Sequence, residues 1–526
     1  MGRLVLTAFF CLLSVLIARP QTPSIKWGTG VRFSRNETLG EFYPLMGGEA
    51  GWLRLKYPTL GYHKAILDVF DLSTLQVDRS LELHHGKTIQ ERYRFYRPRF
   101  SGLALQQHRF LVFQTGYDPN RKQALALINP MDEEGREEEK PQIILDDRIE
   151  SKLKAPSVRF VSDSAAGRVG LFLAKAAEKQ LGVEVEVRVV DSTLQLEWAN
   201  KAMLPFQRTE LGPEEIKMNA QGVMWVLTQI RPRDTNPFAN RDEKRYFQLF
   251  SFSPDDSSGQ FGSHTLQYGD RKIMGASLDT TQGEIWLYMT YEIPQKKAAA
   301  VSGILLQPLP LDPEDPWPKS IDLPFDPTFI PDFQTDALVQ SRADKEAAFV
   351  EVLRVFSSAR GDKFVLAEHR LNTEHCYTDY RTAQQFCTYT HYRNDVFVFA
   401  LDSLHRLAWN MKLPKRQISR NDNGMFLSVL GALINDTLKL AWLEHPETTE
   451  LTSEKELRFM DNPRKANLIT WKLSATGRPE RHQFPLPKQG RFAVVPMLNK
   501  GLVLSDGAIF LSGVNRRKVL PGLLSW

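Results

Sequence analysis

Apolar residues in this chain fall in short runs between turn residues, and the 3.6-residue spacing of an amphipathic helix is nearly absent. Val183–Val190, 223–227, Tyr246–Phe252, 285–291, 364–368, 396–401 and 438–443 are rich in β-branched and aromatic side chains, which predicts strands. Helix is expected over two stretches only, 175–180 and 335–354, the second rich in Ala, Glu and Lys.

The strands recur as a unit. One copy runs from Val187 through Asp191-Ser192-Thr193-Leu194 to Trp198 and Leu204-Pro205. Another runs from Val396 through Asp402-Ser403-Leu404 to Trp409 and Leu413-Pro414. Both read as strand, Asp-Ser turn, Trp-bearing strand and Leu-Pro exit. Weaker copies begin at Val69, Leu249, Ile304 and Leu468. A second unit, a Gly turn opening an apolar strand, appears from Gly222 to Trp225, Gly283 to Trp286, Gly361 to Phe364, Gly424 to Phe426 and Gly507 to Phe510. Glycine there supplies the positive φ of a tight hairpin turn.

A period of roughly 55 to 90 residues with about four strands per unit is that of a β-propeller blade. The expected fold is all-β: a β-propeller, with seven blades favoured and six or eight open. The strands over 492–511 lack an outer hairpin, and the copy at 65–83 lacks inner strands. The N- and C-terminal strands are therefore expected to share a blade and close the ring. A string of β-sandwich domains is the competing architecture, but no linker divides the chain.

The N terminus reads Met1-Gly2-Arg3, an apolar run over 4–17, and then Ala18-Arg19-Pro20. This is the layout of a secretory signal peptide, and the run falls short of the roughly 20 residues that span a bilayer core. The expected organisation is a signal peptide over 1–18, a leader segment over 19–45 and a propeller over 46–526. Loop insertions are expected near 131–140, 231–245 and 308–331. No later run is long and apolar enough for a membrane helix. The mature chain is expected to be a monomer in the periplasm or outside the cell. Charged residues make up 25% of the chain, and the net charge of +5 comes from interspersed Lys and Arg. Without a basic block, nucleic acid is not an expected partner.

Cys11 lies in the apolar run, which leaves Cys376 and Cys387 in the mature chain. A close pair in an exported protein is expected to form a disulfide. Two free thiols, or zinc held with His375 and His391, stay open, although ten intervening residues are not the spacing of a zinc knuckle. No nucleophile elbow, His-Glu-x-x-His or phosphate-binding glycine loop is present, so no catalytic residue is assigned and no cofactor or metal is expected. His84-His85 would point to opposite faces of a strand and read as loop decoration. Asn421-Asp422-Asn423-Gly424 lacks the spaced acids of a calcium loop and reads as a turn. Two segments interleave aromatic and basic residues: 93–100, and Tyr377, Tyr380, Tyr389 and Tyr392 with Arg381 and Arg393. Such segments can stack on sugars or bind anionic polymers. They also fit strands with one buried aromatic face and one solvated basic face, the reading preferred here.

The run Trp409-Asn-Met-Lys-Leu-Pro-Lys415-Arg-Gln417-Ile-Ser419-Arg-Asn421-Asp422-Asn-Gly424-Met-Phe426, preceded by a strand over 395–401, resembles a recurring segment of uncharacterised exported proteins of Bacteroidota. The resemblance is best over 150–480. It implies a propeller-like fold and export, and carries no catalytic residue across. The expected function is an exported, non-enzymatic binding or scaffolding propeller of the cell envelope, with a protein or glycan ligand at the propeller face. The alternative is a carbohydrate-active hydrolase or lyase with acids converging at the central channel. Carboxylates gathered in the channel would favour the enzyme, and an apolar or occluded channel the scaffold.

Overall fold

The computed structural model describes residues 23–526 except 33–36, 46–48, 57–63, 84–98, 107–108, 119, 139, 149–156, 164–166, 177–181, 207–209, 232–245, 255–260, 282, 294–301, 326–348, 383, 423, 449–456, 490 and 516–517. The signal-peptide expectation over 1–18, His84-His85 and the insertion over 232–245 lie outside the described residues. Those residues hold thirty-six strands and no helix.

Seven four-stranded antiparallel meanders follow one another in chain order, spanning 37–83 (blade 1), 99–148 (blade 2), 157–204 (blade 3), 211–265 (blade 4), 272–324 (blade 5), 349–420 (blade 6) and 430–485 (blade 7). Blade 8 is composite. Ile509–Asn515 and Lys518–Ser525 form its middle, Val495–Pro496 and Leu502–Val503 pair on the inner side, and Ser24–Trp27 from the other end of the chain pairs outside Lys518–Ser525. The molecule is an eight-bladed β-propeller closed by its two ends.

Packing between blades confirms the closure. Eight apolar clusters each join two successive blades, from Leu67 and Val69 against Phe110 and Val112 (blades 1 and 2) round to Leu443 and Leu468 against Ile509 and Leu511 (blades 7 and 8). The last junction brings Trp52 and Phe70 of blade 1 onto Phe510 of blade 8. The second strand of blades 1, 4, 5 and 7 seats a fully buried tryptophan: Trp52, Trp225, Trp286 and Trp442. Burying such a side chain supplies about 1.5–3 kcal/mol or more, so each junction is anchored by its own large residue. At the seam Trp27 lies over Gly513 and Gly522, where a Cβ would stand 2.4 and 2.5 Å from the indole. Glycine at these two positions makes room for the clasp.

The short turns share one geometry. At Asp132, Asp191, Asn219, Ser358, Asp402 and Ser474 the N–H of the fourth residue donates to the carbonyl of the first, and the N–H of the first donates to the carbonyl of the fifth. The side chain of the first residue accepts from the N–H of the fifth, as in Arg136 N to Asp132 Oδ1 at 2.8 Å and Arg406 N to Asp402 Oδ1 at 2.9 Å. The fourth residue takes a left-handed backbone, usually glycine as at Gly222 and Gly361, but Leu194 and His405 in the two Asp-Ser turns.

Four expectations are corrected. The blade count is eight and not the favoured seven: Gln123–Asp132 and Gln142–Arg148 are the outer hairpin of blade 2, in a stretch expected as an acidic insertion at 131–140. Its turn carries Asp132-Glu-Glu-Gly135 and its outer strand no Trp, so it did not match the repeat. Helix over 335–354 gives way to strand at Phe349–Ser357, where Val350, Val352 and Val355 are buried. Arg168–Ala176 is likewise a strand where helix was expected to begin. Within the 19–45 leader, Ser24–Trp27 and Glu37–Pro44 are strands of the ring. The Gly424 copy of the turn unit lies on the exit from blade 6, not in a hairpin.

Candidate functional site

Each blade is an up-and-down meander whose first strand lies innermost, where first strands of neighbouring blades touch around the axis. The first-to-second and third-to-fourth turns therefore leave one face of the ring, which carries the compact turns just described. The second-to-third connections and the exits to the next blade leave the opposite face. Connections on such a face carry function more often than the scaffold does.

The channel is polar. A cavity of about 560 Å³ is lined by innermost-strand residues of blades 1, 4, 5 and 6, namely Glu41, Glu215, Lys217, Asp279, Glu351 and Arg354, together with Arg370 and Lys500. An adjoining chamber of about 440 Å³ shares Glu215 and Glu351 and adds Gln229, Tyr288 and Thr290. Acids do gather here, yet three of them face a cation. Lys500 Nζ is 2.8 Å from Glu41, Lys217 Nζ is 3.8 Å from Asp279, and Arg370 Nη1 is 2.8 Å from Glu351. Glu215 differs. Burial pushes its pKa up, and Asp279 and Glu351 add to the rise, against the Leu278 N–H and Lys217.

Behind Glu351 lies a buried charge network at the root of blade 6. Lys415 and Glu368, both without exposed side-chain surface, form an ion pair. Arg370 joins Glu368 at 2.9 Å while it holds Glu351, and Ser428 Oγ donates to Glu368 at 3.1 Å. Burial pushes the Glu368 pKa up, but Lys415 and Arg370 outweigh it and hold the carboxyl below its usual range. Gln417 accepts from Lys415 Nζ at 3.2 Å and from Ser428 N at 2.8 Å, and donates to the Leu443 carbonyl at 2.8 Å. Removing one partner of such a pair costs about 3–5 kcal/mol, because it strands a buried charge. The network ties the channel wall to what rises from blade 6.

That feature is an arm. The two middle strands of blade 6, Lys363–Asp379 and Gln384–Leu401, run 17 and 18 residues, against ten or fewer in the middle strands of every other blade. They stay paired from Arg370 with Arg393 out to Asp379 with Gln384. The overhang of nine residues on the first strand reaches about 30 Å at the rise of a β-strand. Near its root Arg393 donates to Asn372 Oδ1 at 2.9 Å, and the Tyr392 ring meets Phe459 edge-on. Farther out the aromatics are in solvent: Tyr377, Tyr380, Phe386 and Tyr389 are 57%, 86%, 44% and 47% exposed. Tyr377 stacks on Phe386 at 5.5 Å, and Arg381 lies over Tyr380.

The preferred reading of these residues as one buried aromatic face therefore holds at Tyr392 and fails at Tyr377, Tyr380 and Tyr389. Of the other aromatic and basic segment, 93–98 lies outside the described residues, and Arg99–Gln106 is the innermost strand of blade 2. Cys376 and Cys387 are directly paired across the arm, with Cα atoms 4.0 Å apart and the sulfurs at bonding distance. Glu374 Oε1 lies 3.3 Å from Cys376 Sγ, whereas His391 Nδ1 meets Asn372 Oδ1 at 2.9 Å. In 421–424 the side chains serve the backbone: Asn421 Oδ1 accepts from Tyr389 N and Asp422 Oδ1 from Gly424 N, both at 2.9 Å. The arm escaped the sequence reading. Its signal was the unbroken series of Thr, Tyr and His on both sides of the cysteine pair.

No family model and no curated protein matches the chain. Among solved structures it is similar to the WD40 domain of SCAP from fission yeast, at 10% identity over 96% of this chain and 98% of that one, with a TM-score of 0.37. It is similar to the β-propeller domain of the Trilobed protease from Pyrococcus furiosus, at 10% identity over 87% and 98%, TM-score 0.32. A protein of unknown function from Bacteroides caccae matches at 11% identity over 69% and 94%, TM-score 0.26. Among the described residues no helix is long and apolar enough to cross a membrane.

Proposed function

We propose that this propeller is an exported binding module of the cell envelope, akin to the exported Bacteroidota proteins that 409–426 resembles, and that it engages its ligand through the arm of blade 6. The observation that carries this reading is the arm's exposed aromatic tip. Soluble chains rarely hold four large aromatics in solvent on one hairpin without a use for them. Tyr and Arg dominate binding hot spots, and a rigid platform loses little entropy when it binds. The ring is the mount, a monomer with the Cys376–Cys387 disulfide fixing the hairpin near its tip.

A second reading, hydrolysis in the channel, has one observation in its favour. Glu215 is a carboxyl raised by burial beside other acids, the setting of a general acid. Against it stands the pairing of Asp279, Glu351 and Glu41 with cations, which leaves no free carboxylate opposite Glu215 to act as nucleophile or base.

Sedimentation with cell-envelope fragments of the native host tests both. Tyr377→Ser with Phe386→Ser should lower retention at least tenfold, and Glu215→Gln should leave it unchanged. Full retention by the double variant contradicts the binding role of the arm. Release of soluble sugar from the fragments, lost in Glu215→Gln, would establish the enzyme instead.

A further inference from the structure

The first strand of the arm has one open edge. Phe349–Ser357 pairs with Lys363–Asp379 only as far as Arg370, so residues 371–379 are paired on one side alone. Cys376 and Cys387 identify which backbone groups face outward. Their Cα separation of 4.0 Å marks a non-hydrogen-bonded pair, whose N–H and C=O groups point away from each other's strand. With a side-chain period of two, the same holds for Asn372, Glu374 and Thr378. The other strand confirms the phase, since Tyr389, opposite Glu374, turns both backbone groups outward: its carbonyl accepts from Asn421 N and its N–H donates to Asn421 Oδ1, each at 2.9 Å. On that side the edge is further covered by 416–420. Among the described residues no backbone group bonds the outward edge at 372, 374, 376 or 378.

We infer that this edge takes an extended segment of a partner protein as an added β-strand, a proposal that rests on the binding role of the arm and names its ligand class. Four N–H and four C=O groups in a row, over about 20 Å, form a template that another backbone in extended conformation satisfies. A glycan could stack on Tyr377 and Phe386 but has no matching ladder of donors and acceptors. The disulfide spans the ladder's centre, so the template is held straight before the partner arrives. Side chains of the added strand would alternate between the Tyr377–Phe386 face and the face of Tyr389. The segment should therefore carry an aromatic or branched apolar residue at every second position.

Proline separates this from other modes. Thr378→Pro and Glu374→Pro each delete an outward N–H and leave the hairpin's own ladder intact. The probe is a phage-displayed library of random dodecapeptides, selected on the purified full chain. Selected peptides should bind the wild type at least tenfold more tightly than either proline variant, and should slow hydrogen exchange at 372, 374, 376 and 378 but not at 373, 375 or 377. Peptides that bind both proline variants as well as the wild type overturn the inference, as does failure to enrich any peptide. A concentration-dependent dimer that Thr378→Pro dissolves would assign the edge to a second copy and also overturn it. Envelope retention lost in Tyr377→Ser/Phe386→Ser but kept in both proline variants would leave the arm a binding surface and remove the strand. Retention kept in all of them would remove the binding role itself.

Discussion

His369 sits among the cations of the blade 6 root, 4% exposed. Burial lowers its pKa to about 3, and Arg416, Lys412, Lys415 and Arg393 push the same way. The folded protein thus keeps the imidazole neutral, while the unfolded chain takes a proton near the usual pKa of about 6.5. Above pH 6.5 neither state is protonated and His369 has no effect. Between about pH 6.5 and 3 the unfolded state alone binds the proton, so stability falls as pH falls, by about 1.4 kcal/mol per unit well below 6.5. Urea unfolding at pH 7.5 and pH 5 should show His369→Gln losing about 2 kcal/mol less than the wild type across that interval. Equal losses would mean that the imidazole is protonated in the folded state. None of this was legible in the sequence, because Glu368, His369, Arg370, Lys415 and Gln417 look like the solvated face of ordinary strands. Only the long pairing of blade 6 with its neighbours buries them.

Blade 6 also shows what local pattern can and cannot reveal about an element. The strand over 396–401 and the hairpin with 407–420 were readable from alternation and from the Asp402 turn, where Oδ1 accepts two N–H groups at 3.0 and 2.9 Å. The arm beyond them was not, since exposed Thr, Tyr and Gln carry no in-and-out contrast from which to infer a strand. Helix over 335–354 was read from Ala, Glu and Lys upstream of Phe349, yet the alternating Val350, Val352 and Val355 decide the conformation where they are packed. The Cys376–Cys387 bridge belongs to this scale. Closing about ten residues, it should stabilise the hairpin by about 2–3 kcal/mol. Thiol labelling of denatured, unreduced mature protein should find no free thiol; two per chain would mean that the arm is not stapled. Reduction should speed hydrogen exchange in 371–379 and leave the global unfolding midpoint nearly unchanged, because the eight inter-blade cores do not include the arm.

For the whole molecule the repeat was legible and its count was not. Six outer hairpins shared enough of Trp, Asp-Ser or Leu-Pro to be seen. The blade 2 hairpin, with Asn129-Pro130-Met131 leading into an acidic turn, shared none, although Met131 is buried against blade 1. The eighth outer strand lies some five hundred residues away in sequence, at Ser24–Trp27. Closure makes each blade depend on two neighbours, and losing blade 8 exposes both Trp52 with Phe70 and Leu443 with Leu468. It also frees Ser24–Trp27, whose partner strand is gone. The most direct measurement is thermal unfolding, with limited proteolysis, of the chain ending at Gln489. A closed ring predicts loss of the single cooperative transition and cleavage throughout the remaining blades; a stable, protease-resistant fragment covering the first two-thirds of the chain would contradict it.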